Sequence, residues 1–324
     1  MYRRKIQNIN ILITEYDILS NDAVSRLTDI GTVYNYTIRS QDDLLTMAQI
    51  NGYKFNVLMV GSKFKIKKQI IDYFPNLKFI LSPTTGLDHL SIEYCKHKNV
   101  LIFSLYGETD FLETISSTAE HTFGLIIALI RKTHEAINDV KRNNWESAKY
   151  WGTELKGKKI GILGLGRVGK MIAKYAHSFN MNVVAYDIDK NVYSPYVRLL
   201  YHNLYEFLED LDILTIHVPL KEETKNILTN VEFYSMKRGN CIINTSRGKV
   251  VDINDLLFAL KEGQVSGAAL DVLPNEPKIQ EEILDYIQNN SNLLITPHIA
   301  GSTYEAREKT DLFVINKFLS AIKN

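Results

Sequence analysis

The chain has 324 residues, a formal net charge of +1 and 45% hydrophobic residues, which is a globular composition long enough for two domains. Its 38 basic and 37 acidic residues nearly balance, so no net field attracts nucleic acid or an anionic membrane, and we expect a small-molecule partner or a second subunit. Cys95 and Cys241 form no CxxC pair, which argues against a disulfide framework or a metal site and favours the reducing cytoplasm.

Short apolar runs alternate with longer amphipathic segments in the first third of the chain, the rhythm typical of βα units in a parallel sheet. The predicted strands are INILIT (9–14), FNVLMVG (55–61), LKFILS (77–82) and VLIFSL (100–105). The predicted helices between them include KIKKQIIDYF (65–74) and SIEYCKHK (91–98).

A second series of predicted strands begins after residue 157. It covers 158–164, 182–187, 212–218, 240–246, 266–272 and 292–297. Between the two series lies a long helical region over 114–143, and a final helix is predicted over 303–322. The apolar stretch TFGLIIALI (122–130) is too short to span a bilayer, for which about 20 residues are needed. The pattern predicts an α/β protein with two doubly wound parallel-sheet domains.

The stretch KKIGILGLGRVGK (158–170) carries the spacing G-x-G-x-x-G directly after a predicted strand. We expect Gly164 to form the tight turn, Gly166 to let backbone amides approach a pyrophosphate, and Gly169 to allow close packing of helix and strand. The helix that follows offers its positive N-terminus to the phosphates. A structural turn without a ligand is the alternative, but the order strand, helix, strand favours dinucleotide binding.

The next predicted strand ends at Asp187. Its carboxylate is placed to accept hydrogen bonds from the adenosine ribose hydroxyls, and it would repel a 2′-phosphate. Asp189 and Lys190 follow, with no arginine. The predicted cofactor is therefore NAD rather than NADP.

Three polar residues come just after predicted strands, at the edge where doubly wound sheets bind ligands. Arg247 in NTSRGKVVD offers a planar guanidinium that suits a carboxylate. His298 in TPHIAGST can accept a proton near neutral pH, and Glu276 in LDVLPNEP would raise its pKa and fix its tautomer. Each residue alone has a structural explanation, but together they would serve the oxidation of a hydroxyl group.

The motifs GLGRVG, HVPL, NTSRGKVVD, LDVLPNEP and TPHIAGST occur in the order found in the D-isomer-specific 2-hydroxyacid dehydrogenase family, which the chain resembles. TTGLDHL (84–90) and STAEHTFGLIIALIR (117–131) extend the resemblance over nearly the whole chain. The resemblance implies an NAD-dependent oxidoreductase that transfers a hydride between the nicotinamide and C2 of a small D-2-hydroxy or 2-oxo acid. Phosphoglycerate, glycerate and related acids are the implied substrates.

The resemblance also implies roles for individual residues. Arg247 would anchor the substrate carboxylate and carbonyl, His298 would be the general acid and base, and Glu276 would be its partner. The implied cofactor-binding residues are Gly164, Gly166, Arg167, Val168, Gly169, Asp187, His217, Pro219, Thr224, Thr245, Asp271 and Gly301. The implied substrate-binding residues are Thr84, Thr85, Gly86, Arg247 and His298. Asp271 is expected to face the nicotinamide carboxamide, and His217 is alternatively a structural histidine at a strand end.

The resemblance divides the chain into a flavodoxin-like substrate-binding domain (1–104), a Rossmann NAD-binding domain (105–297) and a C-terminal helix (298–324) that returns to the first domain. It implies a cleft between the domains that closes on the substrate by a hinge near residues 104 and 298. The region 114–143 resembles the family's dimer-forming region, so a homodimer is expected, although burial within one chain explains its apolar run almost as well.

Several features bear on the substrate and on regulation. Ser82 stands in the loop SPTTGLDHL where phosphoglycerate dehydrogenases often carry arginine, which weakens the case for a phosphorylated substrate. The sequence ends at Asn324, so no additional C-terminal regulatory domain is expected. Glu108, Asp110 and Glu113 in the segment 106–121 either shape a rim of the active site or the dimer contact, or form a solvated loop.

Two other functions fit the same fold. The first is an NAD(H)-sensing regulator or corepressor-like interaction protein, against which the presence of Arg247, Glu276 and His298 argues. The second is a formate-dehydrogenase-like activity, but that branch typically has glutamine where Glu276 stands, so the carboxylate favours hydroxyacid chemistry.

Overall fold

The computed structural model describes residues 9–323, so the first eight residues of the predicted first domain, and Asn324, lie outside the described residues. Within it the chain packs into two compact units. The first unit holds the described residues up to Thr114 together with those from Ser302 onward, and the second unit is Ile115–Gly301.

The first unit is built on a parallel sheet of five strands among the described residues, in the order β2-β1-β3-β4-β5. The strands are β1 (Ile9–Ile13), β2 (Gly31–Asn35), β3 (Val57–Met59), β4 (Phe79–Ser82) and β5 (Leu101–Ser104). The helices, numbered along the chain, are α1 (Asn21–Thr28), α2 (Gln41–Asn51), α3 (Lys68–Asp72), α4 (Ile92–His97), α5 (Thr109–Leu112) and α13 (Tyr304–Lys323). This strand order is the flavodoxin-like one, which confirms the predicted fold of the first unit.

The second unit contains a parallel sheet with seven strands in the described part of the chain, in the order β12-β11-β10-β9-β6-β7-β8. The strands are β6 (Lys159–Leu163), β7 (Asn182–Tyr186), β8 (Leu199–Tyr201), β9 (Ile213–Ile216), β10 (Asn240–Asn244), β11 (Val265–Leu270) and β12 (Leu293–Ile295). The order reverses between β6 and β9, which is the Rossmann arrangement and confirms the predicted fold of this unit. Ligands of such sheets bind at this reversal, outside the carboxyl ends of the strands.

The helices of the second unit cover both faces of its sheet. They are α6 (Ser117–Ile130), α7 (Thr133–Lys141), α8 (Arg167–Ser178), α9 (Leu204–Leu208), α10 (Asn230–Ser235), α11 (Ile253–Lys261) and α12 (Glu281–Asn289). The helical region predicted over 114–143 is therefore two helices, because Lys132 adopts a left-handed backbone with φ of 52°. The apolar face of α6, including Phe123, Ile126 and Leu129, is buried against the sheet.

The first boundary between the units falls after Thr114, beyond the predicted limit at 104. The reason is side-chain packing: Phe111 of α5 stacks on Phe313 of α13 with ring centroids 4.0 Å apart, and Leu112 is buried. Glu108 forms an ion pair with Lys317 of α13, so this acidic residue is not simply solvated. In the described chain, no helix has the length and apolar character that crossing a membrane requires.

Candidate active site

The glycine-rich turn joins β6 to α8 at the point where the strand order reverses. Gly164 has a left-handed φ of +96°, which favours glycine, and a side chain on Gly169 would lie 2.2 Å from the Gly164 carbonyl oxygen. Apart from its two chain neighbours, no residue has an atom within 4 Å of the position that a side chain on Gly166 would take, and Gly166 directly precedes α8. The turn thus leaves open space at a helix N-terminus, which suits a pyrophosphate.

Asp187 follows β7 beside this turn. Its carboxylate accepts hydrogen bonds from the backbone N–H of Leu165 (2.8 Å) and of Asp189 (2.9 Å). A carboxylate has about four lone-pair sites, so ribose hydroxyls can still be bound. Arg167 donates to the carbonyl oxygen of Ile115 (2.8 Å), and Val168 packs against the core beneath α8.

His217 directly follows β9, on the other side of the reversal. Its backbone N–H donates to the Leu163 carbonyl (2.8 Å), and its ring Nε2 lies 2.8 Å from the Thr215 hydroxyl. Burial lowers the pKa of His217 to about 3, so this ring is neutral at physiological pH. Thr224 donates to the carbonyl of Pro219 (2.6 Å) and so closes the loop that follows.

Arg247 lies three residues beyond β10, in a loop organised by a buried asparagine. The Asn244 side chain accepts from the Ser246 backbone N–H (3.0 Å) and donates to the Arg247 carbonyl oxygen (3.0 Å). Thr245 in the same loop is hydrogen-bonded to Thr122 of α6, with hydroxyl oxygens 2.7 Å apart. The backbone that carries the guanidinium is therefore fixed from two sides.

The loops that carry Arg247 and Glu276 meet at Gly248. A side chain on this glycine would lie 2.1 Å from the backbone carbon of Leu273, so only glycine permits this approach. The close contact places the loop after β10 against the loop after β11, as predicted from the shared strand edge.

His298 and Glu276, predicted from the sequence to act together, are in hydrogen-bonding contact. His298 Nδ1 lies 3.0 and 3.1 Å from the two carboxylate oxygens of Glu276, and the side chains are 39% and 37% exposed. Because a carboxylate accepts, Nδ1 carries the hydrogen, and Nε2 is the nitrogen available to a substrate. The hydrogen bond that His298 donates to Glu276 raises the pKa of His298 against the opposing effect of burial, with a smaller increase from the charge of Asp271 and a decrease from that of Arg247.

Asp271 follows β11 and is 1% exposed. Its carboxylate accepts hydrogen bonds from the backbone N–H groups of Ile299 (2.9 Å) and Ala300 (2.8 Å), on the chain immediately after His298. Its contact with a nicotinamide carboxamide stays a prediction. Gly301 ends this loop, and apart from its two chain neighbours no residue has an atom within 4 Å of the position that a side chain on it would take.

The predicted substrate loop of the first unit follows β4. The Thr84 hydroxyl donates to the Gly86 carbonyl oxygen (2.9 Å) and lies 3.0 Å from the Ser82 hydroxyl. Ser82 is fully buried and its hydroxyl is also 3.0 Å from His89 Nε2. Ser82 thus organises the loop from inside rather than offering a group to a ligand, while the roles of Thr84, Thr85 and Gly86 stay predictions.

Sequence reasoning missed two supporting residues, His121 and Thr122, in the first turns of α6. Their partners Thr296 and Thr245 lie 175 and 123 residues further along the chain. No local pattern signals such a contact, because it depends on how α6 packs against the sheet. Among residues 9–323, no group of three or more His, Cys, Asp or Glu side chains is arranged to hold a metal ion.

Comparison with known proteins matches this site to a described family. Residues 123–300 match the model of the D-isomer specific 2-hydroxyacid dehydrogenase, NAD binding domain. The chain is 36% identical over 268 residues to the glyoxylate reductase of Thermofilum pendens, covering 80% of the chain and 76% of that relative.

Two further similarities extend over nearly the whole chain. It is 31% identical over 317 residues to the D-3-phosphoglycerate dehydrogenase of Methanocaldococcus jannaschii, covering 97% of the chain and 58% of that relative. The crystal structure of D-lactate dehydrogenase from Aquifex aeolicus, complexed with NAD and lactic acid, matches with a TM-score of 0.78 and 27% identity, covering 97% of this chain and 95% of that one. The chain spans little more than half the length of the phosphoglycerate dehydrogenases from M. jannaschii and Bacillus subtilis, 58% and 53%.

Proposed function

The chain belongs to the D-isomer specific 2-hydroxyacid dehydrogenase family, and on that premise we propose that it is an NAD-dependent oxidoreductase that interconverts a small D-2-hydroxy acid and its 2-oxo acid. The observation that carries the proposal is the pair of His298 and Glu276, 3.0 Å apart at the same sheet edge as Arg247 and the glycine-rich turn. Phosphoglycerate, glycerate and related acids are the proposed substrate class, in line with the names of the relatives.

The second unit offers the groups that NAD requires. When bound, the cofactor supplies the hydride acceptor in its oxidised form and the hydride donor in its reduced form. The backbone at the start of α8 would hold the pyrophosphate, because Gly166 leaves that space open, and Asp187 would accept from the adenosine ribose hydroxyls. Further proposed contacts are Arg167, Val168, His217, Pro219, Thr224, Thr245, Asp271 and Gly301.

His298 is the proposed proton-transfer group. In the reductive direction its Nε2–H donates a proton to the oxygen on the substrate C2, and in the oxidative direction Nε2 accepts the hydroxyl proton. Glu276 holds the ring by Nδ1 and stabilises the protonated imidazole, because its carboxylate lies 3.0 Å away.

Arg247 is proposed to bind the substrate carboxylate with its planar guanidinium. Thr84, Thr85 and Gly86 of the first unit are proposed as further substrate-binding residues, with the backbone amides of Thr85 and Gly86 as the donors. The hydrogen bond from the Thr84 hydroxyl to Gly86 (2.9 Å) supports this, because it fixes the loop without using those amides.

The experiment that tests the function is an absorbance assay of reduced nicotinamide with a panel of 2-oxo acids: glyoxylate, pyruvate, hydroxypyruvate, phosphohydroxypyruvate and bulkier analogues. NADH and NADPH are compared in parallel. Turnover with NADH that is lost in His298→Ala supports the proposal. Tight NADH binding without turnover across the panel contradicts it and favours an NAD(H)-sensing regulator.

Glu276→Gln is expected to shift the pH dependence of the reaction to lower pH. The pKa of His298 is raised chiefly by Glu276, so the neutral amide lets it fall. Reduction needs protonated His298 and is lost as pH rises through this pKa, so its alkaline limb moves to lower pH. Oxidation needs the neutral ring, so its activity also begins at lower pH. The kcat/KM profile in both directions measures this shift, and limbs that stay in place would show that Glu276 does not govern His298.

We also propose that the protein is a homodimer through the surface of α7 and the segment after it. Large apolar side chains are exposed there: Ile137 and Val140 are half exposed, Trp145 is 90% exposed and Trp151 is 82% exposed. Exposed large apolar side chains of this kind, close together in the sequence, support a subunit contact.

The double variant Val140→Asp, Trp145→Asp is expected to run as a single 37.1 kDa chain in light scattering, whereas the wild type has twice that mass. Two carboxylates from each chain, buried without partners, would disfavour the interface strongly. Phe258→Asp, at an exposed apolar position on α11, is the matched control and should keep the wild-type mass. A wild type that is monomeric at micromolar concentration would overturn the dimer.

The cytoplasm is the proposed compartment. Cys95 in the first unit and Cys241 in the second unit are both free thiols, as is usual in a reducing environment.

A further inference from the structure

A buried carboxylate fastens the chain on both sides of His298. The Asp271 carboxylate accepts from the backbone N–H of Ile299 (2.9 Å) and of Ala300 (2.8 Å), which follow the histidine, and from the hydroxyl of Thr296 (2.5 Å), which precedes it. The His298 backbone N–H donates in turn to the carbonyl oxygens of Asp271 (2.9 Å) and Thr296 (3.0 Å).

His298 needs this support because its backbone is left-handed, with φ of 55°. A non-glycine residue keeps such a conformation only where its surroundings hold it, and residues of this kind cluster at functional sites. The orientation of the imidazole therefore depends on the hydrogen bonds of the loop 296–300.

His121 of α6 completes the set of hydrogen bonds. Its Nε2 lies 3.2 Å from Thr296 Oγ1 and 3.5 Å from Asp271 Oδ1. A threonine hydroxyl has one hydrogen, and Thr296 gives it to Asp271, so Thr296 must accept from His121 Nε2–H. The donors thus run in one direction, from His121 through Thr296 to the buried carboxylate.

The packing of α6 explains how a helix so distant in sequence reaches this loop. Gly267 of β11 lets Leu129 of α6 approach to 3.0 Å of the position its side chain would take. The helix lies against β11, and its N-terminal turns reach Asp271 just beyond the end of that strand.

We propose that His121 is a positioning residue for His298, acting through Thr296 and Asp271 to hold the loop 296–300 in the geometry that proton transfer requires. This inference rests on the proposed function. The charged and titratable groups that face His298 are Glu276, Asp271 and Arg247. Among them, the contact with Glu276 depends most on the position of the loop 296–300. This hydrogen bond joins Glu276, in the loop after β11, to His298, in the loop after β12.

The test compares His121→Leu with His121→Gln, whose amide nitrogen can replace the Nε2–H donor. The leucine variant is expected to lower kcat about tenfold, with KM for NADH changed less than about twofold, because displacement of an acid-base group affects the transition state. The alkaline limb of its kcat/KM profile for reduction should move to lower pH, because the hydrogen bond between His298 and Glu276 is weakened. The glutamine variant should restore most of both properties.

Histidine-selective 13C NMR of the full chain follows the titration of His298 independently of turnover, with the signal assigned by its loss in His298→Asn. His298 should titrate at lower pH in His121→Leu and near the wild-type position in His121→Gln. His134→Leu is the matched control, since His134 is 25% exposed against 23% for His121 and is hydrogen-bonded to Ser291 in the same unit.

Two results would overturn the inference: an unchanged His298 titration in His121→Leu, or an equal change in His134→Leu, which would indicate a general loss of stability. Failure of the whole substrate panel with the wild type would instead reject the proposed function, while the NMR titration would still decide whether His121 positions His298.

Discussion

His298→Ala is expected to lower kcat about 100- to 10,000-fold in both directions, the range that general acid-base catalysis contributes. The reason is that Nε2, whose orientation is set by Glu276 at 3.0 Å, is the group proposed to exchange the proton with the substrate. The dissociation constant of NADH, measured by fluorescence titration, should change less than about twofold, because the loss lies in the chemical step. Stopped-flow absorbance under single-turnover conditions measures that step directly.

The backbone of residue 298 complicates the alanine variant, since φ is 55° there. Asparagine tolerates this left-handed conformation better than alanine, so His298→Asn preserves the loop while removing the proton-transfer group. Both variants should lose activity to the same extent. His177 is an exposed histidine on α8, so His177→Ala serves as the control and should keep its activity. Full activity in His298→Asn would exclude His298 as the acid and base. If His298→Ala were inactive at the same time, the role of His298 would be structural.

The parts of the site that could be predicted from the sequence are those fixed by local chemistry. The glycine spacing follows from steric limits on one turn. The structure shows these limits at Gly164, which has a left-handed backbone, and at Gly169, where a side chain would clash with the backbone. Arg247, Glu276 and His298 are predicted together because polar residues that follow parallel strands meet at one edge of a sheet. The structure brings Glu276 and His298 into hydrogen-bonding distance.

What could not be predicted depends on tertiary packing. β2 reads GTVYN and β8 only LLY, and both are edge strands with few buried side chains, so neither shows a clear apolar pattern. The helical region breaks at Lys132, where no proline or glycine in the sequence indicates a break. The boundary after Thr114 depends on the contact of Phe111 with Phe313, which are far apart in sequence.

Arg247→Ala is expected to lower kcat/KM for the 2-oxo acid about 100- to 1,000-fold. Two charge-assisted hydrogen bonds to a carboxylate, each of about 1.5–3 kcal/mol, are sufficient for an effect of at least this size. Much of it should be a rise in KM, because the carboxylate is held in the ground state as well as in the transition state. Steady-state kinetics over a wide range of substrate concentration separates the two parameters.

The geometry of the guanidinium, rather than its charge alone, should account for part of this effect. Arg247→Lys keeps the charge but not the planar pair of donors, so its kcat/KM should lie between the wild type and the alanine variant. The backbone of the loop is held by Asn244 and by the close approach at Gly248, so neither variant should displace Glu276 or His298. Arg238→Ala, which removes a guanidinium bonded to the Glu262 carbonyl, is the matched control and should keep wild-type kinetics.

The kinetics of Arg247→Ala also test whether Arg247 binds the substrate or the cofactor. If Arg247→Ala raised KM for NADH and left KM for the 2-oxo acid unchanged, the guanidinium would belong to the cofactor site. Arg247 also lowers the pKa of His298, so its removal should move the pH limbs to higher pH, opposite to the shift expected for Glu276→Gln. Opposite shifts in the two variants would show that both charged groups act on the same imidazole, which is the arrangement that a proton-transfer site at His298 requires.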